Sequence, residues 1–157
     1  MPTAHERADD TADEPVLPSA VRLVDLRETP LDVAEVIDAL GGQESGGLTL
    51  FVGRVRNHDH GLDVEGLEYS AHPTALDALR RVCAQVAEEH DVHGVAAVHR
   101  VGRLAIGDIA VIVATTAAHR NEAFTASRDL IDTLKAEVPI WKHQEFTDGT
   151  QEWVGTP

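Results

Sequence analysis

Apolar side chains recur along the chain at two spacings, and the first, every three or four residues, predicts helices. Residues 33–40 follow this spacing, and Thr29-Pro30 just before them is typical of a helix start with Thr29 as the N-cap. Residues 74–90 repeat it over a longer stretch and place Cys83 on the apolar face. The stripe of the first segment consists of Val33, Val36, Ile37 and Leu40. Each segment is therefore predicted to pack one face against a core.

A third helix is predicted between Asn121, its expected N-cap, and Pro139, which cannot continue a helix. Its predicted inward face consists of Phe124, Ser127, Ile131, Leu134 and Val138. This face leaves Arg128 and Lys135 on a flank. The linker before the helix, residues 117–120, carries His119 and Arg120, and free N–H groups at a helix start beside an arginine are suited to binding a phosphate.

The second kind of pattern, short runs rich in β-branched and apolar residues, predicts strands. The predicted strands are residues 48–56, 64–70, 94–99 and 109–116. The last two are expected to pair as antiparallel neighbours around the turn signal Gly107-Asp108, while residues 57–61 are predicted to form a turn or a mobile loop. Asp148-Gly149 lies between two β-prone stretches, so residues 143–154 are predicted to form a hairpin that closes over a site.

Composition narrows the range of functions. The chain has 157 residues and a net charge of −14, which argues against a nucleic-acid surface or an anionic membrane as partner. No apolar run is long enough to cross a bilayer. The lone Cys83 excludes an internal disulfide and fits a reducing cytoplasm. Residues 1–18 are acidic, poor in apolar side chains and unlike a signal peptide, so they are predicted to form a disordered tail before a single domain at 19–157.

The chain contains only two lysines, Lys135 and Lys142, whereas its other eleven Lys or Arg residues are all arginine. An ammonium group loses its proton when burial or a cationic neighbour lowers its pKa, and a guanidinium effectively does not. The two amines are therefore the first candidates for chemistry. The alternative is a composition that is poor in lysine throughout, in which two lysines lie close together by chance.

Several motifs in order resemble the large, catalytic subunit of molybdopterin synthase over residues 48–154. They are Phe51-Val52-Gly53-Arg54-Val55-Arg56-Asn57-His58, Glu68-Tyr69, His99-Arg100-Val101-Gly102 with Gly107-Asp108, Ala118-His119-Arg120, and Leu134-Lys135 with Pro139-Ile140-Trp141-Lys142. The resemblance implies an α+β fold of the α/β-hammerhead type. It also implies a homodimer within a heterotetramer, in which each copy binds a small ubiquitin-like sulfur carrier.

The activity that the resemblance implies is sulfur transfer. The C-terminal Gly-Gly thiocarboxylate of the carrier would enter a pocket and donate sulfur to cyclic pyranopterin monophosphate, which forms the dithiolene of molybdopterin. No cofactor or metal is expected. The implied substrate-binding residues are Arg54, Val55, Arg56, His119, Arg120, Lys135, Lys142, His143 and Gln144. Many members of the family carry an acidic residue where this chain has Gln144, so a role for a carboxylate there would pass to Glu145.

Chemical roles follow from what the reaction requires. Arg56 and Arg120 supply planar, permanently charged donors for a phosphate and a pterin, and His119 donates to the phosphate or moves a proton. Lys135, crowded by cations, is the predicted catalytic base or nucleophile. Lys142 is expected to hold the carboxylate of the carrier or an oxyanion by its charge.

Two other functions remain open at this stage. The first is a non-catalytic dimeric module that binds a ubiquitin-like carrier. The second is a different phosphate-handling enzyme, which is disfavoured because the chain has no glycine loop of the nucleotide-binding type. His58 and His60, like His90 and His93, resemble fragments of metal sites, but they are expected to be surface residues because further ligands are not in view.

Overall fold

Two β-sheets and three helices make up the chain, described for residues 16–59 and 61–155 by a computed structural model. In chain order the elements are β1 (Val21–Arg27), α1 (Val33–Ala39), β2 (Gly47–Arg54), β3 (His58–Asp59), β4 (Leu62–Ala71), α2 (Ala75–Glu89), β5 (Gly94–Arg100), β6 (Gly102–Leu104), β7 (Ile109–Ala117), α3 (Arg120–Glu137), β8 (Ile140–Phe146) and β9 (Gln151–Gly155). The α+β class is confirmed. Most of the predicted tail, residues 1–15, lies outside the described residues. Within the described ranges, no helix is long and apolar enough to span a membrane.

The first sheet has the strand order β1-β5-β7-β2, and its central strands β5 and β7 are buried on both faces. These two strands pair antiparallel, as the sequence predicts. Alternate residues such as Val113 face α2 and α3, while their neighbours, such as Ile112, face α1. Cys83 is fully buried on α2, which confirms its predicted place in the core. The sequence did not predict β1, because Arg22 and Asp25 interrupt its apolar run. In the structure β1 pairs in parallel with β5, which is distant in the chain.

The second sheet has the order β3-β4-β8-β9, with β6 also paired to β4. Strands β8 and β9 form the predicted C-terminal hairpin. In the antiparallel pairing of β4 with β8, Tyr69 lies opposite Lys142 and Leu67 lies opposite Gln144. Because side chains alternate along a strand, these four residues share one face of the sheet. That face is the one that carries the candidate site.

The start of α1 differs from the sequence prediction. Its N-cap is Asp32, whose carboxylate accepts a hydrogen bond of 2.9 Å from the backbone N–H of Ala34. The assignment of Thr29 as N-cap is wrong, because the chain stays non-helical through Leu31, which packs into the core. The helix is consequently one turn shorter at its start, and Ile37 lies on its exposed side rather than in the stripe.

The start of α3 also differs. Its N-cap is His119 rather than Asn121, which lies inside the first turn. Phe124 is 64% exposed, so its predicted inward position is wrong. The hydroxyls of Thr49 and Thr115 donate to the carbonyl of Ala123 over 3.1 and 2.8 Å, which holds the helix start against the sheet. The face that meets the sheet there consists of small residues, since a closely packed helix leaves no room for a phenylalanine.

Candidate active site

A cavity of about 240 Å³ opens where the end of α3 meets strands β4, β5 and β8. We call it the lysine cavity. Its polar lining residues are Tyr69, His99, Lys135 and Lys142. Its remaining walls are formed by Leu134, Val138, Ile140, Val154 and Gly155. The predicted hairpin contributes to it, because Lys142 belongs to β8 and the last two of these wall residues belong to β9.

Both lysines reach this cavity because of the turn between α3 and β8. Lys135 lies in the last turn of the helix, and Pro139 ends the helical path so that the chain continues as a strand. Lys142 then faces back toward the helix from β8. Although Lys135 as a whole residue is exposed, desolvation of its amine lowers its pKa, and the charge of Lys142 lowers it further. This is the electrostatic arrangement that favours a neutral amine.

Two residues of the cavity, the buried His99 and the partly buried Tyr69, are absent from the predicted site. His99 Nδ1 lies 2.7 Å from the carbonyl oxygen of Arg100, so Nδ1 carries the proton and donates it, which leaves Nε2 as an acceptor. Burial lowers the pKa of His99 to about 4. Tyr69 packs edge-on against the imidazole with 4.9 Å between ring centroids, and burial raises its pKa. The signal for His99 was present in the sequence, as a polar residue that ends an apolar strand.

A second, smaller pocket of about 40 Å³ adjoins the lysine cavity and shares Tyr69 and Lys142 with it. We call it the arginine pocket. Its other lining residues are Arg54, Val55, Arg56, Asp59, Leu67 and Gln144. The fold therefore brings six of the nine predicted site residues to two adjoining pockets: Arg54, Val55, Arg56, Lys135, Lys142 and Gln144.

Asp59 is the acidic residue of this pocket, and the sequence did not single it out. One of its oxygens accepts a hydrogen bond of 3.1 Å from Arg56, and the other accepts one of 2.6 Å from the Gln144 amide. The second oxygen also lies 3.8 Å from the amine of Lys142. By contrast, Glu145 lies on the opposite face of β8, 3.4 Å from Arg103. The carboxylate beside Lys142 is thus Asp59, and the expectation for Glu145 is not met by its position.

The other three predicted site residues lie apart from the two pockets. His143 is on the outer face of β8, where it stacks on Trp153 with 4.5 Å between ring centroids. His119 and Arg120 line an open depression of about 580 Å³ at the start of α3. This depression adjoins the first residue of β2, whereas Arg54 is the last residue of that strand. At about 3.3 Å per residue, the two ends of β2 are about 23 Å apart.

One group of possible metal ligands occurs in the described part of the chain, formed by Glu89, His90 and Asp129 with ligand atoms within 4.8 Å of one another. His90 Nε2 lies 2.8 Å from an oxygen of Asp129, which is a direct hydrogen-bond distance. This contact joins the end of α2 to α3. Of the other histidines considered from the sequence, His58 pairs with Asp63 and His60 lies outside the described residues.

A cavity that is lined by two amines and adjoins two arginines is suited to binding anionic groups. Residues 26–137 match the family described as MoaE protein, and the chain belongs to that family. It is 45% identical over 131 residues to molybdopterin synthase catalytic subunit 1 of Mycobacterium tuberculosis, covering 83% of this chain and 88% of the relative. It is 35% identical over 132 residues to the molybdopterin synthase catalytic subunit of Bacillus subtilis, covering 83% of each.

Solved structures agree with this assignment. The molybdopterin synthase structure from Staphylococcus aureus matches with a TM-score of 0.78 and 31% identity, over 86% of this chain and 98% of that one. The MoaE protein from Burkholderia ambifaria matches with a TM-score of 0.72 and 34% identity, over 85% and 88% of the two chains. The resemblance drawn from the ordered motifs is confirmed, and so is the type of fold that it implies.

Proposed function

We propose that this chain is the catalytic subunit of a molybdopterin synthase. In this reaction, sulfur passes from the C-terminal thiocarboxylate of a small ubiquitin-like carrier to cyclic pyranopterin monophosphate and forms the dithiolene of molybdopterin. The observation that carries the proposal is the convergence of Lys135 and Lys142, the only lysines of the chain, on one cavity. The relatives named molybdopterin synthase catalytic subunit support it.

The two lysines have different environments and therefore different proposed roles. Desolvation and the neighbouring charge lower the pKa of Lys135, so its neutral amine is available as a base or nucleophile. Lys142 lies 3.8 Å from Asp59 and faces both pockets, where its charge holds the carboxylate of the carrier or an oxyanion. Arg54 and Arg56 would bind the acidic and carbonyl edges of the substrate.

The lysine cavity is suited to binding a peptide terminus made of glycine, such as the C-terminus of the carrier. Val154 and Gly155 line the cavity together with Leu134, Val138 and Ile140, so much of its wall is apolar. A Gly-Gly terminus passes such walls because glycine has no Cβ, and its reactive carbonyl would then lie beside the two amines. If the two amines take no part in catalysis, the same cavity would fit the alternative, a module that only binds the carrier.

We also propose that two copies of the chain associate through β2. This strand is at one end of the order of the first sheet, and its edge carries Leu48 and Phe51, which are 42% and 44% exposed. Phe124, on the adjoining helix, is exposed as well. An open edge with apolar side chains is a surface that proteins cover. Antiparallel pairing about a two-fold axis would place the start of one β2 beside the end of the other.

Such a dimer accounts for the position of His119 and Arg120. In one copy they lie about 23 Å from Arg54, measured along β2. In the paired arrangement, the depression with His119 and Arg120 of one copy would face Arg54 and Arg56 of the other. The phosphate of the substrate would then be held between two subunits. The site residues that the single chain separates would belong to one composite site.

The proposal includes two expectations about the rest of the protein. Cys83, the only cysteine, is buried, and burial raises the pKa of its thiol to about 12, so it takes no part in sulfur transfer. A chain without disulfides fits a cytoplasmic location. The acidic residues 1–18 are proposed to be dispensable, so their removal should leave turnover nearly unchanged.

The direct test mixes the chain with a thiocarboxylated carrier and cyclic pyranopterin monophosphate, and measures molybdopterin as its fluorescent oxidised derivative. Product formation supports the proposal. A stable complex of chain and carrier that makes no product would favour the non-catalytic binding module.

A mixing experiment tests the composite site. Lys135→Ala and Arg120→Ala are each expected to be inactive, but a mixed dimer keeps one site with both residues intact. After random exchange of subunits, about a quarter of the wild-type activity should return, because half of the dimers are mixed and each has one intact site. Absence of any recovery, with subunit exchange verified by mass spectrometry, would show that the site is not shared.

A further inference from the structure

We propose that Asp59 is a positioning residue of the sulfur-transfer site, which holds Lys142 at the junction of the lysine cavity and the arginine pocket and is itself anchored by Gln144. The inference rests on the proposed function. It adds a residue and a contact that the sequence motifs do not contain, and it gives Gln144 a role other than contact with the substrate.

The contacts of Asp59 are those of a positioned carboxylate rather than a surface one. Its side chain is only 14% exposed, although it belongs to a two-residue strand. Its two oxygens have different partners, with Arg56 on one side and Gln144 and Lys142 on the other. The hydrogen bond from Gln144, at 2.6 Å, is the shortest of the three contacts. The carboxylate therefore lies between two cations and one fixed amide.

Gln144 is suited to act as the anchor. It is 2% exposed and lies opposite Leu67 in the sheet, so its side chain cannot move away without opening the pocket. A buried amide donor needs an acceptor, since an unsatisfied buried polar group costs about 1–3 kcal/mol. Asp59 supplies that acceptor. The contact joins β8 to β3, which pairs with β4 in the sheet.

The charges explain why Lys142 needs a negative neighbour. Arg54, Arg56, Lys135 and Lys142 all line the two adjoining pockets, and like charges repel at these separations. A lysine side chain is flexible, so an unpaired Lys142 would turn away from this group toward solvent. Asp59 offsets part of the positive charge and keeps the amine at the junction. At 3.8 Å the contact is loose enough for Lys142 to exchange Asp59 for an incoming anion.

The same hairpin offers a matched control in Asp63. It carries the same charge one strand away, opposite His58, but its side chain is 73% exposed. Its contact is with His58, and neither pocket includes it. Asp63→Asn thus removes an equal charge from the same hairpin. Any effect specific to Asp59→Asn reflects its position rather than the net charge of the chain.

The experiment compares four variants with the wild-type protein in the molybdopterin assay: Asp59→Asn, Asp63→Asn, Gln144→Glu, and the double variant Asp59→Asn with Gln144→Glu. Circular dichroism and thermal unfolding verify the fold of each. The double variant moves the negative charge from residue 59 to residue 144 across the 2.6 Å contact and keeps an amide–carboxylate pair. It therefore restores the charge beside Lys142 without restoring Asp59.

Asp59→Asn is expected to lower kcat by about 10–100-fold, as a small displacement of a catalytic group does. KM for the cyclic monophosphate should not rise, because a carboxylate that repels the phosphate has been removed. Gln144→Glu should also lower kcat, since it places two carboxylates in contact. The double variant should recover most of the activity, to within about threefold of the wild type, since contacting residues are not additive. Asp63→Asn should match the wild type.

The inference fails if the wild type is active and Asp59→Asn retains its kcat, or if KM rises in step with the fall in kcat. It also fails if the double variant is as impaired as the worse single variant. Absence of product from the wild type with a loaded carrier would instead overturn the proposed function. In that case thermal unfolding still tests the contact. If Gln144→Glu lowers the melting temperature and the added Asp59→Asn restores it, then Asp59 and Gln144 are in contact.

Discussion

The two sheets of this protein differ in what their residues do. In the first sheet, the central strands β5 and β7 are mostly apolar and are buried on both faces. In the second sheet, successive side chains alternate between a face that lines the pockets and an outer face that is partly exposed. The first therefore holds the molecule together, and the second, with the end of α3, carries the chemistry.

This difference shows why a small domain can contain a cationic cavity without losing its stability. The charged residues of the pockets come from the end of β2 and the loop after it, from β3 and β8 of the second sheet, and from the last turn of α3. Asp59 pairs there with Arg56 and Lys142. Among the described residues, no Asp, Glu, Lys or Arg is buried as Val113 and Ile112 are. Substitutions in the two regions should accordingly separate turnover from stability.

The largest expected effect is on turnover. Lys135→Ala should lower kcat by about 10²–10⁴-fold, the usual contribution of a proton-transferring group. The melting temperature should stay close to that of the wild type, since the residue lies on the exposed side of its helix. The control is Arg128→Ala, which removes a cation from the same helix where the side chain is 80% exposed, and which should leave kcat unchanged.

One comparison of variants would reverse the roles that we propose for the two lysines. If Lys135→Met keeps its turnover while Lys142→Met loses it, then Lys142 is the reacting amine and Lys135 supplies only charge.

The next largest effect is on stability. Ile112→Ala removes a fully buried side chain from the first sheet and should lower the free energy of unfolding by about 2–5 kcal/mol. Ile37→Ala makes the same chemical change at a partly exposed helix position and should cost less than about 1 kcal/mol. Urea unfolding measures both. Equal losses would mean that the first sheet is not the main core, and the kcat of the remaining folded Ile112→Ala enzyme should be unchanged.

The sequence predicted the centre of the first sheet better than its edge strand β1 or the distant contacts of the site. The burial of Cys83 and the pairing of β5 with β7 follow from periodicity and turn signals, which are local. Lys135 and Lys142 were found because their rarity stands out and a helix, a proline and a strand bring them together over a short stretch. These features need no knowledge of distant contacts.

What the sequence did not predict depends on distant contacts. Asp59 belongs to a segment that reads as a turn, and only its packing against Gln144 makes it part of the site. Phe124 has helical spacing that fits an inward face, but the close approach of α3 to the sheet excludes it. The separation of Arg120 from Arg54 reflects the length of β2, which spacing in the sequence does not reveal.

His99 belongs to the first sheet but lines the lysine cavity, so it joins the two regions. Its protonation makes the free energy of unfolding depend on pH. Burial lowers its pKa from 6.5 to about 4, so below about pH 6.5 the unfolded chain binds a proton that the folded protein excludes. The free energy of unfolding should fall as the pH drops from about 6.5 to 4, by on the order of 3 kcal/mol from this residue. At higher pH it adds no pH dependence.

Urea unfolding between pH 4 and pH 7 measures this contribution. His99→Asn keeps a donor for the Arg100 carbonyl and removes the titration, so its stability should vary less with pH than that of the wild type. The exposed His72 gives the control, since His72→Asn should leave the wild-type slope in place. An unchanged slope in His99→Asn would show that other groups determine the acid sensitivity.

The smallest expected effect concerns the outer face of the second sheet. His143 stacks on Trp153 and bonds to Gln151 across the hairpin, on the side away from Lys142 and Gln144. His143→Ala should lower the free energy of unfolding by about 0.5–1.5 kcal/mol, the contribution of a stacked pair, and should leave kcat within about twofold. Trp153→Ala removes the other half of the stack and should cost a similar amount. If His143→Ala instead loses turnover while Trp153→Ala does not, the outer face takes part in binding substrate or carrier, and the division between the two faces of this sheet does not hold.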